Sequence, residues 1–554
     1  MHKVKKGILF FLALGFILLL SVVIGYELIQ IDEPKPSDLT SLDLKRVEIG
    51  QDHYSIGNNW FRKSVGGVWE MYLEGGAFER GVIRGKLSKE LLGRQEQYFV
   101  DEILRQVPSP NYLKFLKYFI SWFNRNLDEH IDEEYLLEIY GVSLFQPDRF
   151  DFIAPKFARL LNYHAAHDIG HALVNMNMVG CTSFSVWDER SVDSSLLVAR
   201  NFDFYFGDDF SKEKIVCFVN PDQGYPFAMI SWAGMIGAVS GMNDKGLTVT
   251  INAAPSDIPV EAATPITIVV RKILQYASNI TEAYEIAQRY TTFVSETIMI
   301  GSAEENETAL IEISPKETAL VRSDENWIVC SNHFQSEELM DGAKNQESIN
   351  TSDSPYRFQR MKQLIDETGE VDYKSAADIL RNKEGVDDQI LGFGNQKAIN
   401  QLIAHHAVIF KPQDKLMWVS TYPYQLGEFL AYDLSEVFKN SMNKFVNDVS
   451  IDSLEIAEDP FLTSEEFDNF LEYKELRKKV ETATKNGHDI NHETLQGIVM
   501  NNPFYYSSYE VVGDYYYGNS QCDSAVKYYE WALTLEVATT IEANSIREKI
   551  KTCK

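Results

Sequence analysis

The chain reads as an α+β protein of stacked strands and covering helices, and three observations lead there. Apolar and polar residues alternate, with glycine punctuation, from Thr182 through TSFSVWD, SLLVARNFDF, FAMISWAG, GAVSGMN and GLTVTINAA. Two helical stretches follow, Ile266–Ser278 and Ile280–Tyr290, and then a second strand group, TIMIGSA, TALIEIS, ETALVRS and NWIVCSN. Helices near Tyr356–Glu367 and Lys374–Arg381 lead to a last hairpin, HAVIFKP and KLMWVST, turned by Gln413-Asp414. Strands, paired helices and more strands predict sheets with helices outside. The pattern by itself leaves an αββα sandwich and other α+β arrangements open.

At 554 residues the chain exceeds one ordinary core, so more than one domain is expected. His2, Lys3, Lys5 and Lys6 precede an uninterrupted apolar run from Gly7 to Tyr26. Twenty helical residues cover about 30 Å, the thickness of bilayer hydrocarbon. Basic residues before the run and Glu27, Asp32 and Glu33 after it predict a signal anchor over residues 1–30 with the body outside the cytoplasm. In this reading the chain sits in the cell membrane by a single N-terminal helix, with a cleaved signal as the alternative and the body exported either way. A polar linker is expected over 31–45, and a mainly helical part over 46–180, with amphipathic stretches at Leu87–Gln106, Tyr112–Leu127 and Phe157–Met176. Gly75, Gly76, Gly81 and Gly85 fall together in MYLEGGAFERGVIRGKL. Without a following Lys-Ser/Thr they mark close backbone approach rather than a phosphate loop. The strand-rich part spans 181–440. A helical region over 450–554 carries one tetratricopeptide-like unit at Tyr509, Gly513, Tyr516, Ala525, Tyr529 and Ala532. Free-standing solenoids need about three repeats, so this unit is expected to cap its neighbours.

Composition excludes several roles. The formal charge of −29 disfavours nucleic acid and anionic lipid surfaces, which are bound by clustered Lys and Arg. The cysteines, Cys181, Cys217, Cys330, Cys522 and Cys553, are too few and too scattered for a disulfide scaffold or a zinc site, and their odd number leaves a free thiol.

Gly180-Cys181 places that thiol after a small residue and at the head of a strand. If the bond before Cys181 is cut, one residue carries both a nucleophile and, in its α-amine, a base. An α-amine titrates near ~7.7–8.0, so it accepts a proton at neutral pH. Arg200, Asn201 and Asp203 return on the next strand. His164, His167, Asp168 and His171 lie at helical spacing just before the scissile bond. That spacing invites a metal, but the preferred reading is of polar groups satisfied against the strand-rich part or shaping the uncut chain.

The segments LEGGAFERGVIRGKL, GCTSF, ARNFDF, GMNDKGLTVTINA, VCSNHF, SPYRFQR and AVIFKP…LMWVST occur in the order found in a known family. Over roughly residues 68–435 the chain resembles the acyl-CoA:6-aminopenicillanate acyltransferases, self-processing N-terminal-nucleophile (Ntn) hydrolases of peptidase family C45. It is more distantly similar to choloylglycine hydrolases, penicillin V acylases and acid-ceramidase-type amidases. The resemblance implies a four-layer αββα sandwich, cleavage between Gly180 and Cys181, and no metal and no cofactor. It implies Cys181 as nucleophile, Arg200 favouring the thiolate, and Asp203 orienting the α-amine. Asn252 would be the oxyanion donor, Asn332 would position the nucleophile's backbone, and Arg357 would brace the site. Asn243 reads as a hairpin-turn residue. The expected reaction passes the acyl group of a small-molecule N-acyl amide through a Cys181 thioester to water or an amine, with the two processed chains staying associated. The rivals are a bile-salt-hydrolase-like amidase and a non-catalytic, membrane-tethered interaction protein.

Overall fold

The computed structural model describes residues 25–26, 29–106, 109–173, 180–257, 262–439, 444–446 and 448–554. Among them, two sheets are stacked. The larger joins eleven strands in the order β1 (Val47–Gly50), β2 (His53–Ile56), β3 (Asn59–Lys63), β4 (Trp69–Gly75), β7 (Ile215–Pro221), β8 (Phe227–Ser231), β9 (Ser240–Asn243), β10 (Leu247–Ala253), β11 (Glu296–Ser302), β12 (Glu307–Ile313) and β13 (Thr318–Arg322). The smaller runs β14 (Trp327–Cys330), β5 (Thr182–Asp188), β6 (Ser194–Phe202), β15 (His406–Lys411), β16 (Leu416–Ser420) and β17 (Phe429–Asp433).

Side-chain alternation shows the layering. On β7, Val216 and Phe218 face the smaller sheet while Ile215, Cys217 and Val219 face helices. On β6, Leu196 and Val198 face the larger sheet while Leu197 and Ala199 meet Met361, Ile365, Ala377 and Leu380 of the opposite helical layer. Strands apolar on both faces are what burial between two layers demands. The result is helix, sheet, sheet, helix.

Residues 46–180 depart from the helical expectation at their start. The segment HYSIGNNWFRK forms a hairpin whose two-residue turn, Gly57-Asn58, puts Gly57 at φ +60°, a conformation glycine adopts without steric cost. β4 then pairs in parallel with β7, from Trp69 opposite Ile215 to Gly75 opposite Pro221. The part before Cys181 thus contributes four strands to the larger sheet. The glycines of the following helix do mark close approach: a Cβ on Gly81 would stand 2.2 Å from the Glu138 carbonyl of helix Glu133–Ser143.

The run Gly7–Tyr26 lies outside the described residues except for Gly25 and Tyr26. Among the described residues no helix is long and apolar enough to cross a membrane. The long helix Lys89–Gln106, for example, carries charges along its length. The expected membrane-anchored localisation is corrected to this extent: no described helix supports a single N-terminal anchor.

At the C-terminus, helices Tyr506–Gly518 and Cys522–Ala532 lie against each other, with Gly513 under the Tyr529 ring. Their core is shared with Leu402, Tyr424 and Leu426 of the strand-rich part. Cys522 and Cys553 form a disulfide, and Cys181, Cys217 and Cys330 are free and buried. The bond between Cys522 and Cys553 was not legible from spacing, because it joins helices brought together by packing.

Candidate active site

Cys181 sits at the N-terminal end of β5, on the seam between the sheets, with 1 % of its surface exposed. Strand pairing positions its neighbours. Arg200 lies opposite Ser183 on β6, and Asp203 follows immediately after β6 ends. Arg200 Nη2 donates to the Cys181 Sγ at 3.6 Å and to the Ile251 carbonyl, while Nη1 donates to the Val239 carbonyl (2.9 Å) and Ser240 Oγ (2.6 Å). A guanidinium fixed at so many points is a preorganised positive charge beside the sulfur. Burial pushes the Cys181 thiol up and Arg200 opposes that shift.

Asp203 is buried, and both its carboxylate oxygens lack a hydrogen-bond partner among the described residues. Burial raises it to about 7 despite the positive charges of Arg357 and Arg200. A buried carboxylate without a donor is costly. The Asp203 carbonyl, by contrast, accepts from the Gly180 N–H at 3.0 Å.

Asn252 comes from β10 of the other sheet. Its Oδ1 accepts from Ser183 Oγ at 2.7 Å and its Nδ2 donates to the Cys330 carbonyl at 3.3 Å, which fixes the amide across the seam. Arg357, on helix Ser354–Thr368, donates through Nη1 to the Cys181 carbonyl (2.9 Å), Thr182 Oγ1 (2.7 Å) and Ser331 Oγ (3.0 Å). Its Nη2 donates to Asn332 Oδ1 at 2.9 Å, and Asn332 Nδ2 donates to the Ala253 carbonyl at 2.8 Å. Arg357 thus contacts the Cys181 main chain directly, and Asn332 contacts Arg357. Asn243 secures the turn before β10, accepting from the N–H groups of Lys245 and Leu247.

Of the histidine group, His164 has both ring nitrogens committed, Nδ1 with the Leu160 carbonyl (2.9 Å) and Nε2 with the Ile236 N–H (3.1 Å). Burial lowers it to about 4, so it is neutral at pH 7. Asp168 Oδ2 accepts from the Ile266 N–H at 2.8 Å, an anion at the start of helix Ile266–Tyr276. The side chains of His167 and His171 lie outside the described residues.

Reading by motif missed Ser183, Ser240, Ser331, Thr182 and Gln401, all buried at the site. Isolated serines, threonines and glutamines carry no spacing signal. A cleft of about 1230 Å³ opens beyond the end of β10, lined among others by Pro255, Ser256, Ala263, Phe293, Phe334 and Leu339.

A buried thiol thus heads an inner strand, with an arginine on the next strand and a carboxylate just past that strand's end. Residues 189–421 match the family model of the acyl-coenzyme A:6-aminopenicillanic acid acyl-transferases. That span holds Arg200, Asp203, Asn252, Asn332 and Arg357 and begins shortly after Cys181. The chain is 25 % identical over 270 residues to "Protein dcd1B" of Dictyostelium discoideum, covering 44 % of this chain and 50 % of that protein. It thus spans about half the length of that curated relative. Among solved structures it is similar to a Caenorhabditis elegans N-acylethanolamine-hydrolyzing acid amidase ortholog (16 % identity, TM-score 0.31, covering 42 % of this chain and 93 % of the other). It is also similar to a variant of the conjugated bile acid hydrolase of Clostridium perfringens (13 % identity, TM-score 0.32, 47 % and 94 %) and to penicillin V acylase of Agrobacterium tumefaciens (12 % identity, TM-score 0.30, 48 % and 89 %).

Proposed function

We propose that the chain cuts itself between Gly180 and Cys181 and then cleaves a linear amide of a small N-acyl compound through a thioester on Cys181. The observation that carries this reading is Asp203: a buried carboxylate without a donor among the described residues, electrostatically coupled to the Cys181 thiol. Cutting before Cys181 creates an α-ammonium beside it, which is the donor the carboxylate lacks. Once freed, the amine takes the thiol proton, and Arg200 stabilises the sulfur as a thiolate. Asn252 would turn its Nδ2 from the weak 3.3 Å contact with Cys330 to the oxyanion of the tetrahedral intermediate. Arg357, through the Cys181 carbonyl, keeps the nucleophile's main chain in place during both steps.

The two pieces, 1–180 and 181–554, stay associated because β4 and β7 share a seven-residue parallel ladder inside one sheet. The cleft beyond β10 offers apolar and polar walls for the acyl and amine halves of the substrate. The C-terminal helix pair, a single tetratricopeptide-like unit, acts as a cap on the strand-rich part, since its core includes Leu402, Tyr424 and Leu426.

Intact-mass measurement and N-terminal sequencing of the purified protein test the reading. A second chain beginning Cys-Thr-Ser-Phe-Ser is expected. A single uncut chain that turns over N-acyl amides would sink it.

A further inference from the structure

The Gly180 carbonyl is gripped by a residue that no motif points to. Gln401 Nε2 donates to it at 2.7 Å, and the Gly180 N–H donates to the Asp203 carbonyl at 3.0 Å. Gly180 is therefore held at its N–H and at its carbonyl, the latter being part of the peptide bond ahead of the thiol. Gln401 is 2 % exposed and sits so close over Gly180 that a Cβ there would lie 2.3 Å from its Nε2. Gly180 is thus required for more than an unhindered approach of the thiol: any side chain at 180 displaces the donor.

The segment bearing Gln401 is held firmly. Asn201 Nδ2 donates to the Ile399 carbonyl (3.1 Å), the Asn400 N–H donates to the Asn382 carbonyl (2.8 Å), and the Leu402 N–H donates to Asn400 Oδ1 (3.0 Å). From the other side the C-terminal helical region braces it. Asn395 Nδ2 donates to the Glu536 carbonyl (3.0 Å), Lys397 pairs with the Glu536 carboxylate, and Asn502 exchanges hydrogen bonds with the main chain of Phe393.

We propose that Gln401 is the oxyanion donor of the self-cutting step, distinct from Asn252, which serves substrate turnover. The inference rests on the proposed cut before Cys181. In that step Cys181 Sγ attacks the Gly180 carbonyl carbon, and the carbonyl oxygen becomes an oxyanion beside the Gln401 N–H. The carbon–nitrogen bond to Cys181 then breaks, the thiol proton passes to that nitrogen, and a thioester remains. Water hydrolyses the thioester, leaving a Gly180 carboxylate and restoring the thiol. A donor already at 2.7 Å needs no rearrangement as charge develops on the oxygen. Asn252, bonded to Ser183 and Cys330, makes no contact with the Gly180 carbonyl.

The test is the rate at which full-length chain converts to two chains, followed by gel and intact mass, for the wild type, Gln401→Ala, Gln401→Glu, Gly180→Ala and the Gly180→Ala/Gln401→Ala double variant. Gln401→Ala is expected to slow the cut by about 10²–10³. Gln401→Glu keeps the shape but offers no donor when ionised, so its rate relative to wild type should recover as the pH falls and the carboxyl gains its proton. A purely structural glutamine would show no such recovery. Gly180→Ala should slow the cut in the wild-type background and add nothing to Gln401→Ala, because the group it displaces is then gone. Wild-type rates in Gln401→Ala, or an equal Gly180→Ala penalty in both backgrounds, would overturn the role of Gln401 while leaving the self-cutting reading intact. A wild-type chain that is never cut would overturn both.

Discussion

Cys181 and Cys217 have nearly the same immediate surroundings and different prospects. Each is a buried thiol receiving a hydrogen bond from an arginine at 3.6 Å, Arg200 for one and Arg84 for the other. Burial raises both thiols, and the arginine opposes it in both. A positive charge beside sulfur therefore does not by itself make a nucleophile. Cys217 lies in the middle of β7, paired to Met71 on one side and Met229 on the other, and the carboxylate coupled to it, Glu138, is paired with Arg80 and Arg271. Arg84 is occupied by the carbonyls of Trp232 and Met235 and holds a loop. Cys181 stands where a strand begins, with a clamped peptide bond behind it and Asp203 without a donor beside it. Position at a strand end, more than the charge, separates the two.

The largest expected effect breaks the comparison outright. Cys181→Ala removes the proposed nucleophile, and the chain should remain uncut with no amidase activity, read from a gel and one amide substrate. Cys181→Ser keeps a weaker nucleophile whose hydroxyl is almost wholly protonated at pH 7, whereas an unperturbed thiol near ~8.5 is already a few per cent ionised. Slow cutting and poor turnover are expected. Asn252→Ala in protein that has been cut should lower kcat by about 10²–10³, with a smaller change in KM, since an oxyanion donor acts in the transition state. A normal kcat would remove Asn252 from the chemistry.

The carboxylate that distinguishes the two cysteines has a pH signature. Asp203 is raised to about 7 in the folded, uncut chain, above the ~3.9 of an unfolded aspartate. Between those values the folded state binds the extra proton, so this group's contribution is fully present below pH ~4 and is lost as the pH rises to about 7. In the uncut Cys181→Ala background, stability should therefore fall over that window. Adding Asp203→Asn should remove a slope approaching ~1.4 kcal/mol per pH unit, measured by denaturant titration. Identical slopes with and without Asp203 would show that its carboxyl is not strained. The smallest effect is expected from Cys217→Ala: a loss of about 1 kcal/mol of stability, with normal cutting and turnover. Loss of activity there would erase the distinction.

Much of the site could be read in advance because strand registers are local. Cys181 heads one strand, Arg200 sits on the next and Asp203 just past its end, and the hairpin pairing of these two neighbouring strands sets Arg200 opposite Ser183. Asn252 and Asn332 were reached only through the family resemblance, and their division of labour with Arg357 depends on hydrogen bonds between both sheets and a helix. Gln401 was invisible, lying 221 positions from Gly180 in a segment without periodicity. The early strands β1–β4 were overlooked because the helices after them dominate the 46–180 window, although Gly57-Asn58 is a recognisable hairpin turn.

By itself the sequence determined the α+β class, the close backbone approach at the clustered glycines and the thiol at the head of a strand. Each depends on residue type and short-range periodicity, which backbone geometry converts directly into structure. Only the tertiary structure decided which carbonyls the arginines and amides would meet, which carboxylate would be buried without a donor, and which cysteines would bond. Those outcomes are set by how layers pack across long stretches of chain, where a hydrogen bond of 2.7 Å, such as Gln401 to Gly180, leaves no trace in local composition.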